Sequence, residues 1–396
     1  MIRKETKLLE NLGLFTGMPS FTVPVSTSNL YLPEYSACEA LFRRALGPDN
    51  HSVVEELEKR LCEFHSVKHC ISVCNGFWAL VVSVALLSKG DREEVLMPSL
   101  TYRRLADLVS WTGKVPHFCD VEAASLAISP ESIETQVNER VALVLAPHPI
   151  VNCCDVEGIE AVCSRHDLPL IFDSVESAYE ICQGRRVGGA GLAECFSLHA
   201  SKLINGFEGG YITTNLDWVA EALRRAVSGQ TAGTAAVTLD LALPPIHAAM
   251  AIQGLKEIEE NVLHNKTLYS AYMEALEQLP GVSIVEFMTT GRTSYKNILV
   301  KIDKAAGITR NLLVRALNAE NILARAYYSP PLHQKVTAYR TICGEMAVTE
   351  DAADKYMLLP CGANTSTSDI TIIVELLTLL LENGRAVEAA WKKKNG

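Results

Sequence analysis

The sequence predicts an α/β protein, with a large domain on a mostly parallel seven-stranded sheet sandwiched by helices and a smaller α/β domain at the C-terminal end. Three observations predict it. The chain has 396 residues, more than the roughly 250–300 that one hydrophobic core accommodates. Between residue 70 and about 215, short β-rich runs alternate with helix-length segments, the pattern of parallel strands joined by crossover helices. Beyond about residue 243 the alternation stops and a long helical stretch begins. These shifts divide the chain into an N-terminal segment (1–50), a large domain (51–243), and an interdomain helix with a small domain (244–396).

The seven runs are Ile71-Ser72-Val73, Glu94-Val95-Leu96-Met97, Val115-Pro116-His117-Phe118, Val141-Ala142-Leu143-Val144-Leu145-Ala146, Leu170-Ile171-Phe172, Cys195-Phe196-Ser197 and Tyr211-Ile212-Thr213. Residues 79–87 form an apolar block shorter than the ~18 residues a membrane span needs, and read as a buried helix. Helix follows over 245–276, then strands at Val282-Ser283-Ile284-Val285 and Asn297-Ile298-Leu299-Val300-Lys301-Ile302, then helices near 310–319 and 368–382. In the last of these, Ile370, Ile373, Val374, Leu377, Leu380 and Leu381 recur at near-helical spacing, a packing face without chemistry.

Composition narrows the function. Hydrophobic residues make up 48% and charged residues 21%, the balance of a folded soluble domain. A net charge of −10 argues against nucleic acid or an anionic membrane as partner, since both are held through excess Lys and Arg. The twelve cysteines are scattered, several inside apolar runs (Cys70, Cys74, Cys195), and no apolar segment follows Met1. Free thiols in a reducing cytoplasm are expected. His65, His69 and Cys70 stand where a helix gives way to a strand and read as packing, so no metal site is expected.

Ligands of open α/β sheets lie at the carboxyl ends of the strands. Asn75-Gly76, Thr101-Tyr102, His148, Asp173 and Ser197 all fall at or just after such ends. Lys202 follows Ser197, and Glu208-Gly209-Gly210 lies behind it. A lysine there can form a Schiff base with a carbonyl cofactor, and a buried Asp173 can keep a pyridine nitrogen protonated, which makes pyridoxal phosphate an electron sink. Gly76, at a strand-to-helix turn, leaves free N–H groups and a positive helix end as a phosphate seat. Ser197 offers a hydroxyl to the same phosphate, and Tyr102 a flat face to a heteroaromatic ring.

From about residue 50 onward the chain resembles the DegT/DnrJ/EryC1/StrS family of sugar aminotransferases, fold-type I pyridoxal-phosphate enzymes. The resemblance runs through Asn75-Gly76-Phe77-Trp78-Ala79-Leu80, Met97-Pro98-Ser99-Leu100-Thr101-Tyr102, Gly184-Arg185-Arg186-Val187-Gly188-Gly189-Ala190-Gly191 and Cys195-Phe196-Ser197-Leu198-His199-Ala200-Ser201-Lys202. Weaker matches lie at 246–255 and at Tyr327-Tyr328-Ser329-Pro330-Pro331-Leu332-His333. It implies catalytic roles for Lys202 and Asp173, and cofactor binding by Gly76, Phe77, Tyr102, Asp173, Glu176, Ser197 and Lys202. Tyr328, His333 and His199 fall on the substrate side. The implied reaction moves an amino group from an amino acid, usually glutamate, to a keto-sugar, often nucleotide-linked, or a cyclitol, in a homodimer.

Three departures stand out. Glu176 occupies a place usually held by Gln or His near the cofactor's phenolic oxygen, where a carboxylate must be protonated or raise the pKa of the Schiff base. Asp240 and Ala242 replace an Asn and an Arg, and Asp240 would repel a phosphate. Phe77 replaces a Thr. These leave open a pyridoxal-phosphate lyase or carbon–carbon bond-forming enzyme acting on a small amino acid, or a non-catalytic protein of the same fold.

Overall fold

The structure, a computed structural model, describes residues 11–28, 30–229, 240–288 and 291–395. Its main sheet runs Ile342–Cys343, Val115–Cys119, Glu94–Pro98, Val141–Pro147, Leu170–Asp173, Ala193–Ser197, Gly210–Thr214, His69–Val73. Only Gly210–Thr214 runs antiparallel to its neighbours, Ala193–Ser197 and His69–Val73. All seven expected runs are present. The eighth strand, Ile342–Cys343, pairs with His117 and Phe118 at the edge; two residues are too short to show a period of their own.

Alternation along the strands builds the layers, because successive side chains point to opposite faces. Leu96, Val144, Ala146, Phe172 and Phe196 enter one core; Val95, Met97, Leu143, Leu145, Ile171 and Cys195 enter the other. Helices His51–His65, Val156–Arg165 and Pro245–Lys256 cover the first face, and Gly76–Leu87, Leu105–Trp111 and Asp217–Val227 the second. Both faces being dry, the strands read as near-continuous apolar runs.

The expected helix over 245–276 is two helices, Pro245–Lys256 and Ile258–Leu276, broken at Glu257. The second bridges two cores: Ile258 and Val262 join the large-sheet core, and Leu268, Tyr272 and Leu276 join another under a four-stranded antiparallel sheet. That sheet runs Val282–Ile284, Ile298–Ile302, Tyr356–Leu359, Arg325–Ala326. The N-terminal stretch does not stand apart. Leu12, Phe21 and Val25 pack into the smaller core, and buried Glu320 accepts from Gly13 N and Ser20 N at 2.5 and 2.8 Å.

Packing also settles the histidines beside Cys70. His65 is held between Val187 O and the Tyr211 hydroxyl at 2.6 and 2.9 Å, and His69 pairs with Asp217 at 2.7 Å. The cysteines depart from expectation. Ten are free, but Cys153 and Cys182 form a disulfide between the loop after Val141–Pro147 and the hairpin beginning at Ile181. Sequence cannot pair residues 29 apart; the parallel neighbours Val141–Pro147 and Leu170–Asp173 bring the two loops together. His148 has a ligand-type atom within 4.8 Å of both sulfurs, but the sulfurs are bonded to each other.

Alkylation of unfolded, unreduced protein is expected to modify ten cysteines, and twelve after reduction. Replacing Cys153 and Cys182 by Ser should cost about 3–4 kcal/mol of stability in urea unfolding without reductant, the loop entropy of such a cross-link. Twelve modified residues before reduction would exclude the bridge.

Candidate active site

Asp173 is the last residue of its strand and 3% exposed. One carboxylate oxygen accepts from Val175 N at 3.2 Å. Burial pushes its pKa up to about 6, against the pull of that N–H and of Lys202, while Glu176 adds to the rise. A buried carboxylate so poorly compensated is suited to a cationic partner. The neighbouring strand end supplies His148, whose backbone N donates to Asp173 O at 2.9 Å and whose ring stacks on Phe172. Burial holds the His148 pKa at about 4, so it is neutral.

Lys202 stands in the loop between antiparallel Ala193–Ser197 and Gly210–Thr214. The loop is laced by Leu198 N to Gly209 O, Gly206 N to Leu198 O and Lys202 N to His199 O, each 2.8 Å. The Lys202 ammonium donates to Glu176 Oε1, and a second ammonium, that of Lys296, donates to Glu176 Oε2. Burial alone would raise the Glu176 pKa. The two lysines override it and hold the carboxyl at about 2. Glu176 is therefore an anion in the site, neither protonated nor a solvated helix residue.

The strand-to-helix turn at Gly76 is equally constrained. Asn75 caps helix Gly76–Leu87 by accepting from Trp78 N at 2.9 Å, and the N–H groups of the first helical residues have no intrahelical carbonyl to bond. A Cβ at Gly76 would lie 2.8 Å from Ser197 Cβ, and one at Gly210 would lie 2.6 Å from Gly76 N. Bare backbone is thus required where three chain segments meet. Leu241 O accepts from Cys74 N at 2.8 Å, so this chain's own Asp240 segment lies beside its own seat. Asp240 is exposed, and its carboxylate contributes to raising the Cys74 thiol.

Tyr102 is 41% exposed with its ring open. Tyr328 is near enough to Glu176, Asp173 and Tyr102 for their charges to act on it, and burial first, then those neighbours, pushes its hydroxyl well above the usual range. His333 is fixed at the same edge, its Nδ1 2.7 Å from Ser99 Oγ and its backbone N donating to that oxygen at 2.9 Å. Phe77 turns its ring to Arg104, 4.8 Å from the guanidinium. The partners of His199 are Ser201 and Glu208 in its own loop. The structure thus groups Asp173, Glu176, Lys202, Tyr102 and Tyr328, and separately Gly76 with Ser197.

Sequence reasoning missed Lys296. A lysine just before the apolar strand Ile298–Ile302 reads as a surface residue; only the fold turns it onto Glu176, at 5% exposure. Gly76→Ala should lose about 1–3 kcal/mol in chemical unfolding of cofactor-free protein, because Ser197 must shift. Unchanged stability would show slack in the seat.

Comparison with known proteins agrees with the geometry. The chain is 28% identical to the UDP-2-acetamido-2-deoxy-3-oxo-D-glucuronate aminotransferase of Pseudomonas aeruginosa, over 84% of this chain and 91% of that one. It is 26% identical to the GDP-perosamine synthase of Caulobacter vibrioides, over 83% and 90%. The crystal structure of DesI in the presence of its TDP-sugar product superposes with a TM-score of 0.90 at 28% identity, covering 97% of this chain and all of that one. The profile of the DegT/DnrJ/EryC1/StrS aminotransferase family matches residues 45–378. With a fold-type I architecture and a lysine and an aspartate at adjoining strand ends, the chain belongs to this family of pyridoxal-phosphate-dependent aminotransferases.

Proposed function

We propose that the chain transfers an amino group from an amino acid, glutamate by resemblance, to the ketone carbon of a nucleotide-linked sugar in surface-polysaccharide or natural-product biosynthesis. The observation that carries this is Lys202 close enough to buried Asp173 for its charge to act on that carboxyl, with Lys202 bonded to Glu176. The names of three similar proteins carry GDP, UDP and TDP. Their common element, a sugar on a nucleoside diphosphate, defines the acceptor class. Nothing in these relatives favours the lyase reading.

The residues fit pyridoxal phosphate: Gly76 and Gly210 leave backbone space at a helix N-terminus for its phosphate, and Asp173 is a buried anion for its ring nitrogen. The cofactor supplies the aldehyde and the electron-withdrawing ring that acidify the donor's α-C–H. Lys202 would hold the cofactor's aldehyde carbon, and its amine, once released by an amino acid, would be the group placed to hold and move the donor's α-proton. Asp173 would keep the ring nitrogen protonated. Glu176, an anion, partners the Lys202 ammonium. Tyr102 would cover the ring, with Tyr328 and His333 on the acceptor side. His199, whose ring meets Ser201 and Glu208 in the loop of Lys202, stands on the substrate side.

Two wider expectations belong with this reading. Ten of the twelve cysteines are free, which supports the reducing cytoplasm that we propose for this protein, while the Cys153–Cys182 bridge counts against it. We also expect a homodimer with sites near the subunit boundary. Segment 231–245, too apolar in sequence for a free loop, suggests a subunit contact, but its residues up to 239 fall outside the described ones. The homodimer's support here is the exposure of Tyr102 and Phe207, large rings beside the site at 41% and 42%. Active monomer in sedimentation would contradict it.

Release of 2-oxoglutarate from glutamate, followed by amination of a nucleoside-diphosphate keto-sugar, tests the function. Borohydride reduction of the loaded protein should mark Lys202 on peptide mapping, and a mark elsewhere would overturn its role. Asp173→Asn should retain cofactor yet lose roughly 10²-fold or more in turnover. Asp173 titrates at about 6 when free, and a cationic ring nitrogen would hold it lower. Its contribution to cofactor binding is therefore fully present above about pH 6 and lost progressively as pH falls from 6 through the lower pKa of the cofactor-bound state. Cofactor retention should weaken on acidification in the native protein and become flat over that range in Asp173→Asn. In Glu176→Gln the pH at which the bound cofactor's absorbance changes form should fall, because an anion favouring the protonated state is gone; an unmoved midpoint would place Glu176 away from the reacting centre.

A further inference from the structure

We propose that Lys296 is the anchor for the α-carboxylate of the amino donor, an inference that rests on the aminotransferase reading. The segment carrying Lys296 is laid along the large-sheet body by bonds on both sides of it. Ile181 N donates to Arg292 O at 3.1 Å, Ser294 N and Oγ donate to Glu180 Oε1 at 2.9 and 2.7 Å, and Asn297 Nδ2 donates to Ile150 O at 3.3 Å. These bonds bring buried Lys296, 5% exposed, to the strand-end cluster, where its ammonium meets Glu176. An ammonium carries three donors, and among the described residues Glu176 is the one hydrogen-bond partner that Lys296 has.

Charge and distance then point to the ligand. Two ammonium groups share the single carboxylate of Glu176, and Asp173 is committed to the ring nitrogen. One cation is left in excess, in a site of low dielectric where a bond to a carboxylate is strong. Because the two ammonium nitrogens bond the two oxygens of one carboxylate, they lie within about 7 Å of each other. When an amino acid displaces Lys202, its nitrogen takes the place of Lys202 Nζ and its carboxylate lies one carbon further on. That carboxylate falls within reach of Lys296, while the released Lys202 retains Glu176. Covalent chemistry occupies Lys202 and leaves Lys296 free of it, which is why the second lysine suits binding.

The test compares glutamate with 4-aminobutyrate, an amine without the α-carboxylate, by the absorbance change each causes in the loaded enzyme. Lys296→Met should raise the half-saturating glutamate concentration by roughly 10²-fold and move that for 4-aminobutyrate less than twofold. Maleate, a dicarboxylate that cannot react, should raise the melting temperature of the native holoenzyme and not that of the variant. Should Lys296→Met fail to fold with Glu176 orphaned, the double variant Lys296→Met/Glu176→Gln removes both charges and should show the same lost discrimination against Glu176→Gln. Equal weakening for both amines would make Lys296 a positioning residue for Glu176 and overturn the proposal, as would an unchanged ratio. Native enzyme unresponsive to every amine would instead refute the aminotransferase reading and this inference with it.

Discussion

A single carboxylate, Glu176, organises the site. It is bonded to Lys202 from the loop between two large-sheet strands and to Lys296 from the approach to a small-sheet strand. A lone carboxylate at that depth would take up a proton, and a lone lysine would give one up. Burial does lower the Lys296 pKa, with Glu176 opposing it. The three charges therefore persist only together, and removing one partner of such a buried group characteristically costs about 3–5 kcal/mol. The two bodies of the protein are joined at the point where its chemistry is placed.

The rest of the seam follows from that point. Segment 292–297 runs beside 176–181, joined through Arg292 O and Ile181 N, and through Ser294 and Glu180. Arg292 also lies over the Tyr179 ring, 3.9 Å from its centroid, and pairs with Glu259. The Cys153–Cys182 bridge ties the next loop of the large body to the same hairpin. Segments that move against one another make poor sites for proton transfer. Here the side chains that would carry the proton sit on mutually bonded backbone, the preorganisation that electrostatic catalysis needs.

Asp173 and Glu176 lie three residues apart and are driven in opposite directions. Both are buried. Asp173, with one N–H partner and distant cations, rises to about 6, whereas Glu176, touching two ammonium groups, falls to about 2. Burial is common to both, so direct ion pairing makes the difference. Two carboxylates on one turn are thereby held in different states, one raised by burial with little compensation and the other neutralising two lysines.

Much of this was legible in the sequence, because the signals are local. Apolar runs mark strands buried on both faces, and the position of Asp173, Ser197 and Gly76 at strand ends follows from parallel connectivity, which gathers those ends at one edge. The place of Lys202, in the loop that follows one of those strands, was legible for the same reason. What sequence could not contain is partnership across the fold. Lys296 looks like a surface residue before a strand, Cys153 and Cys182 look like scattered thiols, and Ile342–Cys343 is too short to announce itself as an edge strand. Glu176 was legible as a departure, but its charge was not, since that depends on two ammonium groups brought 26 and 120 residues along the chain to the same carboxylate. Periodicity and strand-end position belong to the chain itself; protonation and pairing belong to distances that exist only after the two sheets have packed.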